Sequence, residues 1–313
     1  MKTTGLHHVT AIASDPQRNL DFYAGALGLR LVKRTVNFDD PGSYHFYFGD
    51  AAGSPGTILT FFPWPYARRG QRGSGEVEST SFAIPANSTS YWLARLKERG
   101  VSAKTIASDF DHEVLRMEDP DGTLIDLVPT HHTAATESWA AVPEEHAIRG
   151  FHGVSALLDD VHPTAGVLTS LLGYEQVAEK NGKVRLQARS TTDIPGRYID
   201  LIPGPNAPLG HMGAGTVHHI AFRAANDEAQ ARIRGELVSH GLQASPVMDR
   251  SYFHSIYFRE PGGVLFEIAT DNPGFATDES REELGQNLRL PPWMEKSRDR
   301  IAEILPKITL PNH

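Results

Sequence analysis

The chain has 313 residues, of which 40% are hydrophobic and 22% charged, and its formal net charge is −8 at pH 7. This composition is typical of a globular protein of about two domains. It shows neither the clustered Lys and Arg of a nucleic-acid-binding protein nor a run of about 18 apolar residues that spans a membrane. The absence of cysteine excludes disulfides, iron–sulfur clusters and zinc–thiolate sites. Together with the absence of a signal-peptide pattern, it predicts a cytoplasmic protein.

Four segments of the chain share one pattern: a short apolar strand is followed by a helix, a glycine and further strands, the last of them strongly apolar. In chain order, these units cover residues 6–63, 78–129, 151–203 and 216–270. Their predicted helices span residues 16–26, 88–99, 161–172 and 227–240. Residues 276–313 follow as an extension, in which an amphipathic helix is predicted near residues 295–305.

The repeat predicts an α+β fold of four βαβββ modules, paired into two domains with curved mixed sheets. We place the N-terminal domain at residues 1–130, a linker at 131–148 and the C-terminal domain at 149–275. This design resembles the vicinal-oxygen-chelate superfamily, which includes glyoxalases and extradiol dioxygenases, over about residues 5–275. The resemblance implies a cup of two modules around a divalent metal. Function does not follow from it, because the superfamily also holds isomerases, epimerases, thiol transferases and metal-free binding proteins.

The opening strands of units one and four both carry two adjacent histidines between apolar residues, in the strings LHHV and VHHI. Across the four units, the position of the second histidine is occupied by His8, Ser81, Gly153 and His219. A buried strand rarely carries an ionisable side chain without a partner, so His8 and His219 are candidate metal ligands. His7 and His218 are either supporting groups of the same site or residues packed beneath the sheet.

The closing strands have one equivalent position, occupied by Thr60, Asp126, Asp200 and Glu267. Only Glu267 combines a carboxylate with the longer reach. One complete ligand set therefore survives, His8, His219 and Glu267, and it requires the first and fourth units to form one cup. We interpret units two and three as a metal-free copy. Two histidines and one carboxylate are the facial ligand set of non-heme Fe(II) oxygenases, and Mn(II) fits the same ligands.

The segment before Glu267 offers further candidate groups. Tyr257 could donate a hydrogen bond to a bound oxygen, and Arg250 could stabilise an anionic substrate or intermediate. His254 could move a proton, although strand alternation places it on the face opposite Tyr257.

Longer strings extend the resemblance to the hydroquinone-type ring-cleaving dioxygenases: LHHVT, LVKRTVNFDDPGSYHFYFGD, GTILTFFPW, RGFHG, VHHIAF and EPGGVLFEIATDNPGF. The resemblance implies the same three metal ligands as the repeat. It also places three further residues beside the metal: Thr10, Arg250 and Tyr257. Some hydroquinone enzymes carry an acid at the position of His254, so the predicted substrates are hydroquinone-like or related dihydroxy-aromatic compounds.

The main hypothesis is an extradiol-type dioxygenase that uses Fe(II) and O2 on a small aromatic substrate. No nucleic-acid or membrane partner is expected, and the formation of a homo-oligomer is left open. The first alternative is a glyoxalase-type lyase or isomerase, but such enzymes usually need a fourth protein ligand, and Thr60 occupies that position. The second alternative is a metal-free small-molecule binding protein, against which the preserved ligand set weighs.

Overall fold

The computed structural model describes residues 2–111, 113–131, 137–139, 141–190 and 193–310. Unit one contains β1 (Leu6–Ala13), α1 (Pro16–Leu20), which continues as a π-helical segment (Asp21–Ala26), β2 (Arg30–Asn37), β3 (Asp40–Gly49) and β4 (Ile58–Pro63). Unit two contains β5 (Glu76–Pro85), α2 (Thr89–Glu98), β6 (Ala103–Ala107), β7 (Glu113–Glu118) and β8 (Leu124–Thr130).

Unit three contains β9 (Phe151–Leu158), α3 (Val161–Ser170), β10 (Tyr174–Lys180), β11 (Lys183–Ala188) and β12 (Tyr198–Pro203). Unit four contains β13 (Val217–Ala224), α4 (Asp227–Ser239), β14 (Met248–Asp249), β15 (Phe253–Arg259) and β16 (Leu265–Pro273). The four predicted repeats are therefore present, each with one helix. Asp15 is the N-cap of α1, because its side chain accepts a hydrogen bond from the backbone N–H of Arg18. None of the described helices is long and apolar enough to cross a membrane.

The strands form two eight-stranded mixed sheets. The first has the order β14-β15-β16-β13-β1-β4-β3-β2 and joins unit four to unit one. The second has the order β10-β11-β12-β9-β5-β8-β7-β6 and joins unit three to unit two. The predicted α+β fold and its pairing of units one and four are thus confirmed. The predicted domain boundaries stay a prediction, and each sheet takes one unit from either side of them.

Strand pairing decides which side chains share a face of the first sheet. At its centre, β1 runs antiparallel to β13 and parallel to β4, while β13 runs parallel to β16. One face carries apolar residues such as Val9, Leu59 and Ile220, which are buried in a core shared with both sheets and the helices. Because side chains alternate, the polar residues of these strands point to the opposite, concave face.

The C-terminal extension packs against unit one. A 3-10 turn (Glu295–Ser297) leads into α5 (Arg298–Ile304), which contacts β3. Ile301 and Leu305 are buried, whereas Ile304 is exposed. Residues 132–136 and 140 of the predicted linker lie outside the described residues.

Candidate metal centre and cavity

The three predicted metal ligands meet on the concave face of the first sheet. His8 lies on β1, His219 on β13 and Glu267 on β16, and all three side chains are buried. The Nε2 atoms of His8 and His219 are 3.3 Å apart, and Glu267 Oε2 lies 3.4 Å from the first and 2.9 Å from the second. Among the described residues, this is the one cluster of at least three His, Asp or Glu residues whose ligand atoms all lie within 4.8 Å of one another.

The hydrogen bonding of Glu267 fits a cation at this point. Its Oε1 accepts a hydrogen bond of 2.5 Å from Ser255 Oγ, whereas the buried Oε2 has no hydrogen-bond donor. Burial alone would raise the pKa of Glu267, but the imidazoles of His8 and His219 lower it well below its usual range. An ionised carboxylate oxygen without a donor, facing two imidazole nitrogens, is a suitable donor set for a divalent metal.

Each ligand histidine is held by the histidine before it in the chain. The Nδ1 atoms of His7 and His8 are 2.9 Å apart, and those of His218 and His219 are 2.8 Å apart. Burial, followed by the neighbouring ligand histidine, lowers the pKa of His7 well below its usual value and that of His218 to about 3. Neutral His7 and His218 can accept a hydrogen bond from Nδ1–H of His8 and His219, which leaves Nε2 of His8 and His219 free to bind metal.

A cavity of about 400 Å³ opens in front of the ligands. Its apolar walls are Phe38, Phe62, Trp64, Phe253 and Leu265. An engineered cavity of about 150 Å³ holds benzene, so this cavity has room for one substituted aromatic ring and a small second molecule.

The comparison with known proteins agrees with this geometry. The model of the Glyoxalase/Bleomycin resistance protein/Dioxygenase superfamily matches residues 5–127 and 128–268. The chain belongs to this superfamily. MhqO of Bacillus subtilis (strain 168), which is named as a ring-cleaving dioxygenase, is 47% identical over 96% of both proteins.

Two further members of the superfamily resemble the whole chain. The chlorohydroquinone/hydroquinone 1,2-dioxygenase of Sphingobium indicum is 33% identical over 97% of this chain and 96% of that protein. The crystal structure of a Bacillus subtilis protein named as a dioxygenase has a TM-score of 0.94 and 45% identity, and it covers 100% of this chain and 99% of the other. The resemblance stated from the sequence is therefore confirmed.

Two of the predicted catalytic residues, Tyr257 and Arg250, line the cavity in front of His8 and His219. Tyr257 faces Glu267 across β15 and β16, and its hydroxyl accepts a hydrogen bond of 3.3 Å from Arg250 Nε. The guanidinium of Arg250 also forms an ion pair of 3.2 Å with Asp39. Burial, followed by the charge of Glu267, raises the pKa of Tyr257, so it remains a hydrogen-bond donor at neutral pH.

The structure does not bring His254 into the cavity. Its side chain lies on the other face of β15, where Nδ1 is 2.6 Å from Asp227 Oδ1 at the start of α4. Side-chain alternation, which separated His254 from Tyr257 in the sequence, accounts for this position. His254 is therefore removed from the set of candidate catalytic residues.

The fourth predicted residue, Thr10, belongs to a hydrogen-bonded chain that sequence reasoning missed. Its Oγ1 is 2.9 Å from Thr60 Oγ1, which is 2.8 Å from His45 Nε2. His45 Nδ1 is in turn 2.9 Å from the hydroxyl of Tyr47. The repeat alone gave no signal for this chain, because Tyr47 faces Thr60, as Tyr257 faces Glu267, through the register of two strands.

The corresponding positions of the second sheet are occupied by ion pairs. Asp126 accepts two hydrogen bonds of 2.7 Å from Arg116, and Asp200 accepts two of the same length from Arg185. Arg185 also pairs with Asp111. The carboxylates at the ligand positions of this sheet are therefore already neutralised by arginine.

Proposed function

We propose that the chain is a ring-cleaving, extradiol-type dioxygenase that acts with O2 on hydroquinone-like or related dihydroxy-aromatic compounds. The observation that supports it most is the cluster of His8, His219 and Glu267 at the base of an aromatic-lined cavity. The names of its relatives, ring-cleaving and hydroquinone dioxygenases, support the same reaction class.

Fe(II) is the proposed metal, and Mn(II) suits the same ligands. His8, His219 and Glu267 would hold this metal, which would supply a binding site for a phenolate oxygen and O2 and a route for electron density between them. Thr60, at the position where a glyoxalase-type enzyme would supply a fourth ligand, is instead hydrogen-bonded to Thr10 and His45. This arrangement favours the dioxygenase over the lyase or isomerase.

The residues around the ligands would orient the ring and stabilise charge. Phe62, Trp64 and Phe253 offer flat apolar surfaces that exclude water from the ring. The hydroxyl of Tyr257 can donate a hydrogen bond to an oxygen of the substrate, while Arg250 places a positive charge behind that hydroxyl. Such fixed donors, aimed at an oxygen that gains charge during the reaction, are typical of oxyanion stabilisation.

The first test is the metal content of anaerobically purified protein, by elemental analysis, for the wild type and for Glu267→Ala. We expect about one Fe or Mn per wild-type chain, since the described residues contain one complete ligand set, and loss of that metal in the variant. Asp200→Asn, which changes the equivalent position of the second sheet, serves as the matched control and should keep the metal.

Oxygen uptake with methylhydroquinone and chlorohydroquinone then tests the reaction. We expect consumption of O2 by the metal-loaded wild type and none by Glu267→Ala. Wild-type protein that holds iron and takes up no O2 with any hydroquinone or catechol would disprove the proposed function. Wild-type protein that binds no metal after anaerobic reconstitution would do the same.

A further inference from the structure

We propose that His45, with Tyr47, Thr60 and Thr10, forms a proton relay along one wall of the cavity, which accepts the proton of a substrate hydroxyl at Thr10 and releases a proton at Tyr47. This inference rests on the proposed function and assigns the proton transfer to a histidine other than His254.

The relay is built into the pairing of three adjacent strands. Thr10 on β1 is the register partner of Thr60 on β4, and Thr60 is also the register partner of Tyr47 on β3. His45 lies two residues before Tyr47, on the same face of β3, so its ring bridges the two hydroxyls. The three heavy-atom distances, 2.9, 2.8 and 2.9 Å, are those of ordinary hydrogen bonds.

Both ends of the relay lie in the wall of the cavity, where Thr10 is 0% and Tyr47 1% exposed. Thr10, His45 and Tyr47 all line it. Thr10 follows the metal ligand His8 by two residues and therefore points to the same side of β1. A hydroxyl bound near the metal centre would approach the relay at Thr10.

Every member of the relay can donate one hydrogen bond and accept another. In one orientation, His45 Nδ1–H donates to Tyr47, Nε2 accepts from Thr60, and Thr60 accepts from Thr10, so a lone pair of Thr10 faces the cavity. In the opposite orientation, all donors and acceptors are reversed. Moving one proton along each bond converts the first orientation into the second.

The proton balance of this movement is complete. The substrate O–H bond breaks as a new O–H bond forms at Thr10, and Thr10 passes its own proton to Thr60. Thr60 protonates His45 Nε2 while His45 Nδ1 releases its proton to Tyr47. Tyr47 gives its former proton to an oxygen acceptor in the cavity, so one proton enters, one leaves and no charge stays in the relay.

The surroundings of His45 and Tyr47 favour the transfer of a proton through these residues and disfavour a charged form of either. Burial, followed by the nearby His8 and His219, lowers the pKa of His45 well below its usual value, which disfavours an imidazolium. Burial, followed by Tyr257, raises the pKa of Tyr47, which disfavours a tyrosinate. His45 must therefore release one proton as it takes another.

The other histidines of the cavity are already engaged. Among the described lining residues, His8 and His219 are the metal ligands and His218 is bonded to His219. The fourth histidine that lines the cavity is His45, whose described hydrogen-bond partners are the hydroxyls of Thr60 and Tyr47.

Two substitutions at one position test the relay. Thr60→Val removes the hydroxyl between Thr10 and His45, whereas Thr60→Ser keeps it. We expect Thr60→Val to retain its metal and to lower kcat about 100-fold, the lower range of general acid–base catalysis, with KM changed less than threefold. Thr60→Ser should have a kcat within about threefold of the wild type and the same solvent hydrogen-isotope effect as the wild type. His254→Gln is the matched histidine control and should leave kcat unchanged.

A second measurement does not depend on turnover. NMR of Zn(II)-loaded protein labelled with 15N-histidine reports the tautomer of His45. The signal of His45 is assigned as the one that is absent from the spectrum of His45→Gln. Transfer of a proton from bound methylhydroquinone to Thr10 should shift this tautomer from Nδ1–H toward Nε2–H in the wild type and in Thr60→Ser, but not in Thr60→Val. A wild-type tautomer that does not respond, or metal-replete Thr60→Val with kcat within threefold of the wild type, would overturn the relay. Metal-replete wild type that takes up no O2 would instead refute the proposed function.

Discussion

One pair of facing positions recurs in all four units and accounts for the difference between the candidate ligand set of the first sheet and the ion pairs of the second. In chain order, the pairs are Tyr47 with Thr60, Arg116 with Asp126, Arg185 with Asp200, and Tyr257 with Glu267. Arginine is a permanent cation whose planar fork binds a carboxylate through two hydrogen bonds. Tyrosine supplies no such charge, so the carboxylate of Glu267 is not paired with a cation from the facing strand and stays a candidate metal ligand.

An arginine opposite Glu267 should therefore take the place of the metal. In Tyr257→Arg, we expect the guanidinium to bind Glu267 as Arg116 binds Asp126, and metal affinity to fall by at least about 100-fold. Elemental analysis after anaerobic reconstitution measures the loss, and circular dichroism shows that the fold persists. Tyr257→Phe adds no charge and should keep the metal while kcat falls. Full metal content in folded Tyr257→Arg would contradict this explanation of the two sheets.

At the scale of elements, the segment that connects unit one to unit two pairs with the segment that connects unit three to unit four. Backbone bridges join Arg69 to Ala214, Gln71 to His211 and Ser74 to Leu209. Next to them, the first residue of β5, Glu76, packs against Gly210 so closely that a side chain there would collide with it. The buried Oε2 of Glu76 has no hydrogen-bond partner, and burial raises the pKa of this carboxyl to about 7, with Arg259 opposing the shift.

Glu76 should make the stability of this junction depend on pH. Between its ordinary pKa, near 4.5, and about 7, the unfolded chain ionises while the folded chain keeps its proton. Stability therefore falls as the pH rises through this window and levels off above it. Glu76→Gln lacks this loss, so its melting temperature should exceed that of the wild type at pH 8, with a smaller difference at pH 5. A difference that does not change with pH would show that Glu76 is ionised in the folded state.

The repeat explains how much of this structure could be predicted. Because the four units share the same order of strands and helix, comparison of equivalent positions was enough to select His8, His219 and Glu267 and to pair the first unit with the fourth. Alternation along β15 likewise separated His254 from Tyr257. His45 could not be found in this way, because its role depends on the register of β3 against β4, which is a property of two strands and not of one.

At the scale of the whole molecule, the C-terminal extension and Phe275, which directly precedes it, pack against the residues that form the cavity wall. Phe275 contacts Tyr47 and Tyr252, with ring centroids 5.1 and 5.2 Å away. Beyond it, Asp278 accepts a hydrogen bond of 3.1 Å from the hydroxyl of Tyr252, which precedes the cavity residue Phe253. The extension thus fixes the segment that carries part of the cavity wall.

A buried lysine ties this extension to unit one. Lys33 Nζ lies 2.6 Å from both Asp278 Oδ1 and Glu279 Oε2, and the side chains of Lys33 and Glu279 are 0% and 1% exposed. Removing one partner of a buried ion pair leaves an uncompensated charge, which costs about 3–5 kcal/mol. Lys33→Met should lower the free energy of unfolding in urea by this amount, because Glu279 would remain buried without a cation.

The matched control removes the charge that Lys33→Met leaves behind. In Lys33→Met/Glu279→Gln, no unpaired carboxylate remains at position 279, so more than half of the lost free energy should return. Tryptophan fluorescence in urea measures both variants, and kcat at full metal content reports whether the cavity wall keeps its shape. If the double variant is less stable than Lys33→Met, the cost does not come from the buried carboxylate, and the extension is held mainly by apolar contacts such as those of Phe275 and Leu284.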